Sequence, residues 1–429
     1  MIKRGVVGMV ELLFFATVAV SAQDVQHLSL RDAEQRAVQD HPQIRAVQYE
    51  ALAADESVHQ VRSAYFPTVY GSVTGAEAES GSRIAAGGLN NPIILDRFAA
   101  GLSIGQLITD FGRTHDLVES FGLRADAQRQ NVESRRADVL LQVDRAYFNA
   151  LRARSVQKVA QDTVNARQLV VDQVAALAAS KLKSGLDVSF ARVNLAEAQL
   201  LLVQARSDIQ EAFTALSAAM GRSEFLAYDL DDEPLPTQPP ADSADLVAQA
   251  LRERPDIISE RVSGQAASKF ADAERALWFP SISAVAVAGL APYHQTGLNS
   301  RYSAVGVNVN VPLANGGLLS ARGAEAGLRA RAEEQRLRDL ENRVVRDVRT
   351  AWLDAQTSFL RLDLTAQLLS HASDAADLAQ ARYDIGLGSM VELSQAQLNK
   401  TRAELEQATA RYDYQTRTAV LRFQIGALK

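Results

Sequence analysis

The sequence predicts a mainly α-helical, exported protein built from two copies of one pattern, with four short strands of bilayer-crossing length in each chain. Three observations predict it. The chain resembles itself once along its length. Each copy holds a helical stretch too long for a compact domain. Each copy also holds segments that alternate apolar with small or polar residues over about ten positions.

The elements follow in chain order. Lys3 and Arg4 precede an apolar run from Val6 to Val20, interrupted by Glu11, and Val20-Ser21-Ala22 offers small residues for cleavage. That order predicts a secretory signal over residues 1–22. An N-terminal anchor is the alternative, and the short span and Glu11 argue against it. No other stretch approaches the roughly 18 apolar residues of a spanning helix. An exported chain without one is either soluble outside the cytoplasm or crosses an outer membrane as a β-barrel.

The repeat follows. His41-Pro42 matches Arg254-Pro255, and Phe66-Pro67 matches Phe279-Pro280, at an offset of 213. Gly112 matches Gly317, Asn194 matches Asn399, and Met220-Gly221 matches Ile425-Gly426, at an offset of 205. The change of offset predicts a loop of different length between Phe-Pro and the glycine. Residues 23–221 and 243–429 are the expected repeats. The acidic, proline-rich run over 222–242 cannot be a core helix and reads as a linker.

Each repeat is expected to start with one helix, near Ser29 to Ser63 and near Ser243 to Leu277. Strands come next. In the run from Arg97 to Leu107, Phe98, Ala100, Leu102 and Ile104 share one face, and Ala99, Gly101, Ser103 and Gly105 the other. From Ser303 to Val311 the odd-numbered valines oppose Gly306, Asn308 and Asn310. Tyr65-Phe66-Pro67 and Trp278-Phe279-Pro280 open the other two strands, with aromatics suited to a membrane interface. An ordinary soluble hairpin is the alternative for these strands.

The long helices favour the membrane reading. Nothing breaks a helix from Gly112 to about Lys181, a length of roughly 100 Å at 1.5 Å per residue. A return helix from Asp187 to Met220 carries Val188, Leu195, Leu202, Ile209 and Leu216 every seven residues. Ala191, Ala198, Ala205, Ala212 and Ala219 interleave with them, so the seam demands a coiled-coil partner. The second repeat keeps Ala396, Ala403 and Ala410 but places Lys400 and Gln407 at the large positions, which weakens its seam. Four strands are too few to close a barrel, so chains must associate.

In this order and double occurrence the sequence resembles the outer-membrane efflux protein family, the TolC-like outer-membrane factors, over nearly all of its mature length. The junctions from Gln106 to Gly112 and from Val311 to Gly317 carry the resemblance, as do Arg382 to Gly386 and Val391 to Gln397. It implies a homotrimer in which four strands per chain form a 12-stranded β-barrel in outer-membrane lipid. A long α-helical barrel would continue it across the periplasm. A periplasmic adaptor and an inner-membrane pump are the implied partners, and the implied function is a passive conduit for efflux or type I secretion.

The candidate site is the pair of turns far from the strands. Ser184-Gly185-Leu186-Asp187 and Ser389-Met390-Val391-Glu392 each place an acid three residues after a serine, which is a capping-box pattern. Asp187 and Glu392 are expected to start the return helices, and in an assembly they would also ring a cation-favouring mouth. By resemblance, Glu392 falls on an acidic ring position and Gln395 on the next, which weakens the field. Tyr383 and Asp187 match residues that link neighbouring tips in a closed member of the family. An arginine of that link would fall at Gly388, where it is absent. Gly386, Leu387 and Gly388 complete the second docking tip, and the first tip departs from the family's glycine-leucine pattern.

The remaining features exclude more than they assign. The chain has no cysteine, so disulfides, thiolate metal sites and cysteine nucleophiles are excluded. A net charge of −6 with both signs mixed gives no reason to expect nucleic acid. The six histidines show no metal-ligand spacing, and no catalytic motif is present, so no metal, cofactor or enzymatic activity is expected. A periplasmic coiled-coil adaptor or scaffold is the competing class; it accounts for the rods but not for the duplicated strands.

Overall fold

The computed structural model describes residues 26–77, 97–223, 227–294 and 299–428; the expected signal over 1–22 lies outside the described residues. The first half runs β1 (Gln26–Leu28), α1 (Leu30–Asp40), α2 (Pro42–Arg62), β2 (Thr68–Ala76), β3 (Arg97–Thr109), α3 (Arg113–Ala179) and α4 (Gly185–Ala219). The second runs β4 (Tyr228–Leu230), α5 (Ala244–Glu253), α6 (Pro255–Arg275), β5 (Ser281–His294), β6 (Arg301–Asn310), α7 (Leu318–Asp384) and α8 (Met390–Gln424). Helices α3 and α7 both have 67 residues, and α4 and α8 both have 35. The protein is therefore mainly helical, and its longest rods reach roughly 100 Å.

The single opening helix expected in each half is two helices. A proline drives the residue before it out of the helical region. His41 accordingly adopts φ −66°, ψ 123°, and Arg254 adopts φ −66°, ψ 127°. Pro42 and Pro255 then occupy the first turn of the next helix, where the missing N–H costs nothing. The glycine landmarks meet these breaks. Gly221 and Gly426 have φ of +78° and +74° just beyond α4 and α8. A Cβ there would lie 3.0 Å from His41 Cα and 3.3 Å from Arg254 Cα. The end of α4 thus abuts the start of α2, and both lie along α3. The same arrangement joins α8, α6 and α7.

Strands β2, β3, β5 and β6 form one antiparallel sheet in the order β2-β3-β5-β6. Its register puts Val69, Ile104, Ala286 and Val305 in one cross-strand row, with Val73, Leu102, Val307 and Val309 on the same face. Thr68, Tyr70, Ser72, Ser103, Asn308 and Asn310 lie on the other face. Strands β2 and β6 are the two edges, each with its outer side unpaired among the described residues.

The largest core cluster lies midway along the rods, where β1 and β4 pair in parallel. Period-two reasoning missed these strands because each has only three residues. Strand β4 falls inside the acidic run read as a linker, and the halves hold that run from equivalent positions. The Tyr147 hydroxyl lies 3.0 Å from the Leu28 carbonyl and 2.8 Å from that of Asp231. Trp352, 205 residues later, donates its indole N–H to the Pro240 carbonyl at 2.9 Å. Tyr412, Tyr414 and Gln415 add bonds to Asp232, Thr237 and Glu233.

Beside this cluster Asp144 is 3% exposed. Burial, then the charge of neighbouring Glu34, pushes its carboxyl up to about 8, and burial raises Glu34 as well. Its counterpart in the second half, Arg349, lies exposed on α7.

Candidate functional site at the two helical tips

Both tips make the same turn. Leu182 N donates to Leu177 O at 2.9 Å, and Leu387 N donates to Arg382 O at 2.8 Å, the six-to-one bond of a Schellman ending. Such a turn needs one left-handed residue. The second tip uses Gly386, φ +79°. The first uses Lys181, φ +60°, a conformation that costs a side-chain-bearing residue about 1 kcal/mol. At an offset of 205, Lys181 stands opposite Gly386, Lys183 opposite Gly388, and Asp187 opposite Glu392.

The capping boxes expected at both tips form fully at one. Ser184 Oγ accepts from the Asp187 N–H at 3.2 Å, and Asp187 Oδ2 accepts from the Ser184 N–H at 3.1 Å. Ser389 Oγ accepts from the Glu392 N–H at 3.1 Å, but Glu392 turns instead to Arg382 Nε, 3.3 Å away. The first tip has no competing cation at that place, because the counterpart of Arg382 is Leu177.

One side chain crosses from tip to tip. Lys183 Nζ lies 3.8 Å from the Tyr383 ring centroid and donates to the Tyr383 carbonyl at 3.3 Å. Further along the return helices, Asn194 Nδ2 donates to Ser394 Oγ at 2.7 Å. Tyr383 is buried among Val170, Val174, Ala379, Met390 and Leu393. Its hydroxyl is buried without a hydrogen-bond partner, and its pKa is raised by burial first, then by Asp187 and Asp384.

Around this core the tips are apolar and exposed. Leu182, Leu186, Ile385, Leu387 and Val391 are each at least 60% exposed, a patch of the kind that marks an interaction surface.

A family model described as outer membrane efflux protein matches residues 33–222 and again 246–427. The chain belongs to the outer membrane efflux protein family. As a member it resides in the outer membrane with a periplasmic extension, and it serves as a channel component for efflux or secretion. The chain is 22% identical over 413 residues to the outer membrane protein TolC of Escherichia coli K12, covering 93% of this chain and 82% of that one. It is 24% identical over 432 residues to the alkaline protease secretion protein AprF of Pseudomonas aeruginosa, covering 97% and 88%. A crystal structure of a membrane protein from Pseudomonas aeruginosa superposes with a TM-score of 0.82 at 20% identity, covering 92% of this chain and 93% of that one. That likeness extends to the fold.

Of the site residues named from this family member's sequence, Tyr383 receives the tip-to-tip contact from Lys183, and Asp187 caps its own helix while its charge acts on Tyr383. Glu392 faces Arg382 on its own hairpin, and exposed Gln395 donates to Asn399 at 3.1 Å. Lys183 and Arg382 escaped the sequence reading; aligning the two tips on their offset would have singled out Lys183 against Gly388. Near the strands, His115, Asp116 and Glu119 bring ligand-type atoms within 4.8 Å of one another. There Lys269 Nζ lies 2.9 Å from Glu119 and supplies the cation.

Proposed function

We propose that three copies of this chain assemble in outer-membrane lipid as a passive conduit from periplasm to exterior, with no chemistry of its own. The observation that carries the reading is the four-stranded sheet with two unpaired edges and one apolar face, continued by rods of roughly 100 Å. An unpaired edge in hydrocarbon is costly, so β6 of one copy pairs with β2 of the next until the sheet closes. Two copies would give a barrel of about eight strands, whose interior side chains fill it, whereas three leave a lumen. The valine-bearing face then meets lipid, and the face carrying Asn308, Asn310 and Ser103 lines the pore.

In the same assembly the helical tips form the periplasmic mouth. Asp187 and Glu392 start helices and also set carboxylates around that mouth, where they favour cations. The exposed leucines, isoleucine and valine of the tips suit a periplasmic adaptor, with an inner-membrane pump beyond it. Efflux or type I secretion is the process served, and export through a signal over 1–22 fits this location.

The test is direct. Mass measurement in detergent should give a trimer, and planar bilayers should show a cation-preferring conductance. Replacing Asp187→Asn and Glu392→Gln together should raise that conductance or reduce its cation preference. A monomer that stays soluble without detergent would overturn the reading in favour of a periplasmic scaffold. Unchanged selectivity and conductance would leave the two acids as helix caps only.

A further inference from the structure

We propose that Tyr302 is laid flat against the pore wall on a track of two glycines, and that this track sets the bore of the channel near its outer end. The inference rests on the conduit reading above, which makes the face of Ser103, Asn308 and Asn310 the pore lining, and it adds the residues that fix the width. One cross-strand row carries it. Ser72 on β2 pairs with Gly101 on β3, Gly101 with Gly289 on β5, and Gly289 with Tyr302 on β6. By alternation this row shares the face of Ser103 and Asn308. The Tyr302 side chain runs along the row instead of standing off the sheet. Its ring covers Gly289 and its hydroxyl reaches Gly101, so a Cβ on either glycine would collide with it. Neither glycine has a positive φ. What they supply is room for a close approach.

The same sheet holds a comparison. Tyr70 lies on the same face, in the next row of that face toward the helices, and it too is on an edge strand. Its row continues through Ser103, Val287 and Ala304, each of which carries a side chain. With no glycine track to lie on, Tyr70 is 66% exposed, against 42% for Tyr302. The Tyr302 row is far from the helical rods. Strand β6 ends at Asn310, eight residues past Tyr302, which is about 27 Å of strand. The lining over that stretch is mostly small, with Ser103, Ala304, Gly105 and Gly306 on the pore face. A tyrosine swung off the glycines would be a large obstacle there, and it would recur once in every copy. Three rings folded onto the wall leave the path open to bulky cargo.

The experiment uses the whole protein in planar bilayers, with potassium and tetrabutylammonium as the small and bulky permeant ions. Gly101→Ala is the informative change. The atom it displaces is the Tyr302 hydroxyl, the mobile end of a side chain, while the Ala288 carbonyl oxygen lies 3.0 Å from the new Cβ. Gly289 is left alone, because a Cβ there would lie 2.6 Å from the Ala100 carbonyl oxygen and disturb the strand pairing itself. Gly101→Ala should lower tetrabutylammonium conductance several-fold and potassium conductance less. Tyr302→Ala alone should leave both near the parental values, and added to Gly101→Ala it should restore them. Parental conductance of both ions in Gly101→Ala would overturn the proposal. So would a loss that persists in the double variant, since that loss would belong to the strands and not to the ring. If Gly101→Ala does not assemble in detergent, assembly regained in the double variant supports the collision with Tyr302, and failure of both overturns it. Absence of any conductance in the unmodified protein would instead overturn the conduit reading itself.

Discussion

The two halves of the chain share one backbone plan and differ in what they mount on it. At the tips the turn hydrogen bonds are the same, yet the first tip carries Lys181 and Lys183 where the second carries Gly386 and Gly388. The first tip accepts a left-handed lysine and directs a cation to its neighbour. The second uses an unstrained glycine and spends its ion pair, Arg382 with Glu392, on its own hairpin. Midway along the rods the same split recurs: Asp144 is buried where Arg349 is exposed. Helix α3 is surrounded by α2, α4, α6 and α8, whereas α7 lies at the edge of the chain. Duplication preserves backbone hydrogen bonding, and position in the fold decides the side chains.

The largest effect that sharpens this contrast is expected at Asp144. Its carboxyl titrates near 8 in the folded chain and at the ordinary 3.8 when unfolded. The folded state therefore holds the extra proton between those values, and stability falls as pH rises from about 4 to about 8. Asp144→Asn should flatten that slope and leave the variant more stable than the parent at pH 8, by about 2 kcal/mol or more. Arg349→Gln, at the matching exposed place, should change stability by less than about 0.5 kcal/mol. Thermal unfolding in detergent at pH 5 and pH 8 measures both, and equal slopes for parent and Asp144→Asn would break the contrast.

A smaller effect is expected at the caps. Ser184→Ala removes the hydroxyl that accepts from the Asp187 N–H and donates to the Asp187 carboxylate, leaving only the backbone N–H half of the box, and should cost about 1 to 2 kcal/mol. Ser389→Ala removes a one-way cap and should cost about 1 kcal/mol or less. Hydrogen exchange of the first-turn amides of α4 and α8 would show the ranking; the reverse order would mean that Arg382 and Glu392 contribute more than the box.

The smallest effect lies in the turns. Lys181→Gly should stabilise the first tip by roughly 0.5 to 1 kcal/mol, and Gly386→Lys should cost the second tip a similar amount. Matching melts for both substitutions would show that the left-handed lysine is not strained.

Much of this was legible because it is written locally. Period-two strands, unbroken helices and capping serines each declare themselves within a few residues, and the offset of 205 places α7 and α8 at the positions of α3 and α4. The helix break at His41-Pro42 is equally local, because the proline itself drives the histidine before it out of the helical region. The β1–β4 clasp was not legible, since three residues carry no period. Nor was the Lys183–Tyr383 contact, which joins residues 200 apart and exists only because four helices pack at one end. The box at Ser389 failed to close for a related reason: a carboxylate pairs with the best donor in reach, and Arg382 approaches Glu392 only once the hairpin has folded.

The bare edges of β2 and β6 carry a consequence for biogenesis. A single copy travelling to the membrane exposes two rows of unpaired backbone groups beside an apolar face, with Val305 87% exposed. Such a surface recruits any strand it meets. In the proposed assembly the hazard ends when like copies find one another, so that closing the sheet would double as protection from aggregation.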